Sequence, residues 1–150
     1  KASDLARQAI EAVDGLGCFG VEMFLTSEED ILINELAPRV HNSGHYTIEA
    51  CRCSQFENHI RSILGWPLGD TSLVKRAAVM INLLGACDGP SLPGGIKEAL
   101  QNPDAHLHIY GKSESRKGRK MGHLTLIGEN LEETTQTAKR LASNLLFGQV

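Results

Sequence analysis

Residues 18–26 and 31–36 are apolar runs rich in Val, Ile, Phe and Leu, and the polar group Ser27-Glu28-Glu29-Asp30 separates them. Extended runs joined by so short a polar link make a β-hairpin the simplest assembly. Pro38 ends the second strand, because it has no N–H to give to a ladder. A two-residue loop at Glu28-Glu29 and a four-residue loop from Ser27 to Asp30 have the same centre, so either puts Glu22 opposite Glu35. Directly opposed side chains lie on one face with Cβ atoms about 4.5–5.5 Å apart. Two like charges there repel unless something positive sits between them. Such oxygen donors suit Mg²⁺, which takes one or two carboxylates and completes its shell with phosphate oxygens and water. Asn34 adjoins Glu35, but alternation starts its side chain on the opposite face unless the strand twists or bulges. The plain alternative is two glutamates on a solvated face. Gly20, Glu22 and Phe24 share a face, as do Ile31, Ile33 and Glu35, so the carboxylates keep mostly apolar company. Spacing leaves the metal, acid–base and solvated roles open.

The rest of the chain mixes helix and strand signals. Leu5, Ala9, Ile10 and Val13 mark a helix over 1–14, stopped by Gly15 and Gly17. Residues 39–45 are a loop, and 46–64 are predicted as one helix with Ile48, Phe56, Ile60 and Ile63/Leu64 on its buried side. Residues 77–84 form a fully apolar strand, followed by turns, a short helix at 96–101, strands at 106–110 and 122–127, and a closing helix at 131–147. The fold class is α+β, and the composition shift at Gly65 to Asp70 divides 1–70 from 71–150.

Charge and cysteine usage narrow the function classes. Fifteen Lys and Arg against eighteen Asp and Glu give −3, which offers no generic attraction to nucleic acid or acidic membranes. No apolar run approaches the ~20 residues that cross a bilayer. Cys18, Cys51, Cys53 and Cys87 are too few for a disulfide scaffold and point to a reducing, cytoplasmic setting. On a helix Cys51 and Cys53 would point about 200° apart, which disfavours a shared metal. His45, His59, His106, His108 and His123 lack metal-ligand spacing, and Met23, Phe24 and Trp66 are taken as packing residues.

Two sets of residues carry a family resemblance. Gly20-Val21-Glu22-Met23-Phe24 is followed by Asn34-Glu35-Leu36-Ala37-Pro38-Arg39-Val40-His41-Asn42-Ser43-Gly44-His45, and Gly118-Arg119-Lys120-Met121-Gly122-His123 comes much later. Together with Ser54-Gln55-Phe56-Glu57-Asn58-His59, these resemble the N5-carboxyaminoimidazole ribonucleotide synthetase family of ATP-grasp enzymes, in order from about residue 15 to 128. The Glu and Asn-Glu pair is common to many ATP-grasp enzymes, and the run from Pro38 to His45 is far more specific.

The resemblance implies the back part of an ATP-grasp domain, an antiparallel sheet with helices, plus a small mixed α/β C-terminal subdomain. It implies an ATP-dependent carbon–nitrogen ligase of purine biosynthesis that joins bicarbonate to 5-aminoimidazole ribonucleotide through carboxyphosphate. Glu22 and Glu35 then match Mg²⁺ ligands, and Asn34 and Glu35 match residues lining the ATP site. Arg39 and His41 match catalytic residues around bicarbonate and the aminoimidazole nucleotide, and Asn42, Ser43 and Gly44 match substrate-binding positions. Lys112, Arg116, Lys117, Arg119 and Lys120 are five of the fifteen cations within nine residues. Composition favours a solvated cluster, whereas the family comparison gives Lys112 and Arg119 the substrate's 5′-phosphate and leaves the other three in solvent. Where many relatives carry Arg-Pro, this chain has Arg116-Lys117. The family also implies a homodimer and a mutase-like carboxylase domain, fused downstream or separate. Its N-terminal domain and the front of its ATP-grasp domain would precede Lys1, so the chain alone is expected to be inactive. The competing expectations are a non-catalytic assembly or dimerisation module and another ATP-grasp ligase, such as a formate-dependent ribonucleotide transformylase.

Overall fold

The computed structural model describes residues 1–149 of the 150. The chain divides into two units, Lys1–Ser72 and a second that begins at Leu73. The first unit opens with α1 (Ala2–Glu11), and β1 (Gly20–Leu25) and β2 (Ile31–Ala37) form an antiparallel hairpin. Its tip matches neither expected loop. Thr26 N donates to Asp30 O at 2.9 Å and Glu29 adopts φ +62°, so three residues, Ser27 to Glu29, make the turn. Three-residue hairpin loops end in this way, on a left-handed residue. The pairs next to the tip are therefore displaced by one from the expected register: Met23 faces Ile33 and Phe24 faces Leu32. Between Glu22 and Met23 the register shifts, with Asn34 as the extra residue, and Glu22 faces Glu35 after all. The shifted loop centre and the added residue offset each other.

Residues 46–64 are not one helix. A 3₁₀ turn (Asn42–Gly44) leads into α2 (Thr47–Ala50), the chain becomes extended at Cys51, and α3 (Gln55–Ile63) starts afresh. Ser54 caps α3, its Oγ accepting from Glu57 N at 3.2 Å. Ser with Glu three residues later is a helix-start signature, which explains the break. Cys51 and Cys53 consequently do not split between core and surface: both are buried. Burial pushes both thiols above their ordinary pKa. The stripe Phe56, Ile60, Ile63 and Leu64, expected inside, is 38–52% exposed. One hairpin and short helices bury little, and an isolated two-stranded ribbon is marginal in water.

In the second unit β3 (Ala77–Leu84), α4 (Ile96–Ala99), β4 (Ala105–Ile109), β5 (Lys120–Gly128) and α5 (Leu131–Ser143) follow in order. The sheet is antiparallel with β5 between β3 and β4. Leu83, Leu124 and Leu126 pack with Ala138 and Leu141 of α5. Asn130 caps α5, accepting from Glu132 N and Glu133 N at 2.9 and 3.1 Å, and the two glutamates favour the positive helix start. The closing helix is shorter than expected, ending at Ser143. The chain then turns so that Phe147, fully buried, bridges to Gly85 and joins the core.

Candidate functional site

The hairpin brings three of the sequence-selected residues together. Glu35 stands opposite Glu22, and the bulge sets Asn34 against Glu22 as well. Asn34 Nδ2 donates to Glu22 Oε2 at 3.4 Å. The bulge thus removes the obstacle that strict alternation placed in the way of Asn34. The Glu35 side chain is exposed and makes no hydrogen bond or ion pair among the described residues.

His41 joins the group from the segment after β2. Its Nε2 lies 3.2 Å from Glu22 Oε1. Gly20 makes this possible, because a Cβ there would come within 2.6 Å of the His41 ring. Ser43 N donates to His41 Nδ1 at 3.4 Å, and Ser43 Oγ lies 2.8 Å from the same nitrogen. A backbone N–H can only donate, so Nδ1 presents its lone pair and the neutral ring carries its proton on Nε2, facing Glu22. Glu22 therefore has both oxygens engaged, one by an imidazole and one by an amide.

Arg39 is exposed, and its Nη1 donates to Val40 O at 3.1 Å. Asn42, Ser43 and Gly44 form the 3₁₀ turn, closed by Gly44 N to His41 O at 3.0 Å and His45 N to Asn42 O at 3.1 Å. Gln55, absent from the sequence-selected set, packs against this turn: its amide bonds both main-chain polar groups of His41. Gly44 is needed for that approach, since a Cβ would fall 2.5 Å from Gln55 Oε1. Its sequence signals are the family-like run from Ser54 to His59 and the Ser54–Glu57 helix start, which places residue 55 in a first turn.

Lys112 and Arg119 lie in the second unit, on the connection between β4 and β5. Lys112 Nζ donates to Lys120 O at 2.5 Å, and Arg119 Nη1 donates to Glu114 O at 3.3 Å. Both are half-buried, whereas Arg116 and Lys117 are exposed. Arg116 is not simply solvated: its Nε donates to Glu114 Oε1 at 2.8 Å, and its Nη2 bonds the same oxygen. The connection is tied down by Gly85 N to Arg119 O at 2.8 Å and Gly118 N to Gly85 O at 2.9 Å. At its root Tyr110 Oη lies 2.8 Å from Nδ1 of the buried His123, whose ring stacks on His108 with centroids 4.5 Å apart.

Among the described residues no three His, Cys, Asp or Glu side chains are grouped to hold a metal ion. The hairpin carboxylates are two, and they are hard oxygen donors. That donor set fits Mg²⁺ sharing its shell with phosphate and water, and not a closed Zn²⁺ site.

Comparison with known proteins gives the class first. Residues 1–56 match the ATP-grasp domain family, and residues 78–137 match the phosphoribosylaminoimidazole carboxylase C-terminal domain family. The first part of the chain thus matches an ATP-grasp domain, and the architecture is mixed α/β with antiparallel sheets. It is 49% identical over 136 residues to N5-carboxyaminoimidazole ribonucleotide synthase of Bacillus subtilis, covering 91% of this chain and 34% of that protein. It is also 49% identical over 138 residues to phosphoribosylaminoimidazole carboxylase of Schizosaccharomyces pombe, covering 89% of this chain and 25% of that protein. The solved N5-carboxyaminoimidazole ribonucleotide synthetase of Thermotoga maritima superposes with a TM-score of 0.85 at 50% identity, covering 97% of this chain and 41% of that one. The Aspergillus clavatus synthase in complex with ADP and 5-aminoimidazole ribonucleotide gives 0.79 at 39% identity, covering 95% and 38%. Nearly the whole chain is thus similar to N5-carboxyaminoimidazole ribonucleotide synthetases, and it spans about a quarter to a third of the curated relatives it matches.

Proposed function

We propose that this chain supplies the back of the ATP-grasp domain, residues 1–70, and the C-terminal subdomain, residues 71–150, of a cytoplasmic ligase of purine biosynthesis. The ligase carboxylates 5-aminoimidazole ribonucleotide with bicarbonate, consuming ATP and releasing ADP and phosphate. The observation that carries this reading is the opposition of Glu22 and Glu35, with Asn34 brought beside them by a bulge. Glu22 and Glu35 would hold Mg²⁺, and Asn34 and Glu35 would face the nucleotide. When bound, the metal offsets phosphate charge and orients the transferred phosphoryl group.

The protein's own groups do the rest. Arg39, whose planar guanidinium grips oxyanions in two-pronged fashion, binds bicarbonate or its activated form. His41, with its Nε2–H on Glu22, orients that carboxylate and would act on bicarbonate and the aminoimidazole nucleotide. Asn42, Ser43 and Gly44 form the wall against the aminoimidazole nucleotide. Lys112 and Arg119 bind its 5′-phosphate. The same reading includes a homodimer and a carboxylase-mutase partner, fused or separate. A match of nearly equal length is a smaller share of the Schizosaccharomyces pombe carboxylase than of the Bacillus subtilis synthase, so the former chain is the longer.

The test measures ADP release by the complete ligase carrying this segment, with ATP, bicarbonate and 5-aminoimidazole ribonucleotide each omitted in turn. Dependence on all three is expected. Release that ignores bicarbonate and requires formate would replace this reading with the transformylase.

A further inference from the structure

The turn from His41 to His45 is closed by only two short-range main-chain bonds, yet it carries the imidazole that meets Glu22. Gln55, in the first turn of α3, holds it from outside. Gln55 Oε1 accepts from His41 N at 3.0 Å, and Nε2 donates to His41 O at 2.8 Å. Amide oxygen and nitrogen are often interchangeable in assignment, but here the backbone decides, since an N–H must donate and a carbonyl must accept. Nε2 also lies 2.9 Å from His45 Nδ1. With the amide so oriented, Nδ1 has to present its lone pair, and the neutral His45 ring carries its proton on Nε2. Gln55 is itself secured: its N–H donates to Thr47 Oγ1 at 2.9 Å, and that hydroxyl donates to Gly44 O at 2.6 Å.

We propose that Gln55 is a positioning residue of the ligase, whose single side-chain amide fixes both the main chain of His41 and the tautomer of His45. This rests on the functional reading above, in which the turn meets substrate. A glutamate at position 55 could still accept from His41 N but would set a second acceptor against His41 O. It would also demand a proton on His45 Nδ1. A leucine would satisfy neither histidine.

The test uses the complete ligase, labelled with ¹⁵N at histidine, as the unmodified protein and with Gln55→Leu or Gln55→Glu. In the unmodified protein above the histidine titration range, His45 should show an unprotonated Nδ1 and a protonated Nε2. Gln55→Leu should weaken that preference, and Gln55→Glu should invert it. Turnover should fall about tenfold or more in both, as displaced catalytic groups do, with the KM for ATP within about twofold. An unchanged His45 tautomer in Gln55→Glu, or unchanged turnover in both variants of an active ligase, would overturn the proposal. Inversion in a protein that never carboxylates would uphold the role of Gln55 in the turn and overturn the functional reading instead. Should Gln55→Leu fail to fold, the nearly isosteric Gln55→Glu carries the tautomer test by itself.

Discussion

The two units put their apolar residues to different use. In the second, Leu83, Met121, Leu124, Leu126, Leu141, Leu145 and Phe147 form one buried cluster between sheet and helix. In the first, the buried apolar side chains are small ones, Ala37, Ala50, Cys51 and Cys53, while Phe24, Leu25, Leu32, Ile60 and Leu64 stand about half exposed or more. The first unit also carries the irregular backbone: the bulge at Asn34, the left-handed Glu29 and the 3₁₀ turn at Asn42–Gly44. Its site is held by directed polar contacts, whereas the second unit is held by packing. Substitutions in the two should therefore separate function from stability.

The largest effect is expected at Leu124, which is fully buried. Leu124→Ala should lower stability by about 2–5 kcal/mol in denaturant melts of this chain, through lost burial and the cavity left behind. Phe24→Ala, at a site 58% exposed, should cost roughly 0.5 kcal/mol or less. Equal losses would mean that the first unit has a core of its own kind and would erase the contrast.

Next is Glu35→Gln, which should reverse the pattern. It should lower turnover of the complete ligase by about a hundredfold, close to 2.7 kcal/mol of barrier, because the charge that attracts Mg²⁺ is gone. Stability should hold or rise slightly, since a like charge opposite Glu22 has been removed and Glu35 has no partner to lose. Turnover within about threefold of the unmodified enzyme would reject the metal assignment, that being under 1 kcal/mol.

A smaller effect tests the basic connection in the second unit. Arg119→Ala should raise the Michaelis constant for the aminoimidazole nucleotide by about ten- to a hundredfold, the loss of charge-assisted bonds worth about 1.5–3 kcal/mol. Lys117→Ala, removing an exposed charge, should change it by roughly twofold, and that change should vanish at high salt. Equal shifts would reduce the connection to a general basic patch.

The sequence made the apolar strand of residues 77–84, the closing helix and the facing glutamates legible, because each rests on period or on turn symmetry. The sequence reaches the pairing of Glu22 with Glu35 through a two- or four-residue loop centred between Glu28 and Glu29, whereas the loop of three is centred on Glu28 and the bulge restores the pair. Period-two reasoning allows a bulge without locating one, so the place of Asn34 beside Glu22 was not legible. Gln55 was invisible for a different reason. A continuous helix over 46–64 gives it no preferred neighbour, whereas the break at Cys51 folds it back onto His41, fourteen residues earlier. The exposed stripe of α3 shows the converse limit, since amphipathic spacing tells which face is apolar but not whether anything covers it.

The smallest expected effect is a difference in acid sensitivity. In the first unit the Arg61 guanidinium, with Nε 2.9 Å from Glu57 Oε1, holds Glu57 below its ordinary pKa. Asp70 is lowered by the Ser72 N–H and hydroxyl, which donate to its carboxylate at 2.8 and 2.7 Å. For a carboxylate depressed in the folded state, the unfolded chain binds its proton first as pH falls. The stabilisation is therefore complete above the ordinary carboxylate value of about 4 and is lost as pH drops through the depressed folded value. Both groups are on the surface, so the loss is small and salt-sensitive. Amide exchange followed from pH 7 to 3 should show protection at α3 and Gly69 declining before protection at β5. In Glu57→Gln/Asp70→Asn the early decline should disappear while neutral stability is largely kept, because an Asn carbonyl can still accept from Ser72 N. An unchanged decline in that variant would mean that other groups set the acid limit, and the directed polar contacts of the first unit would lose their claim to it.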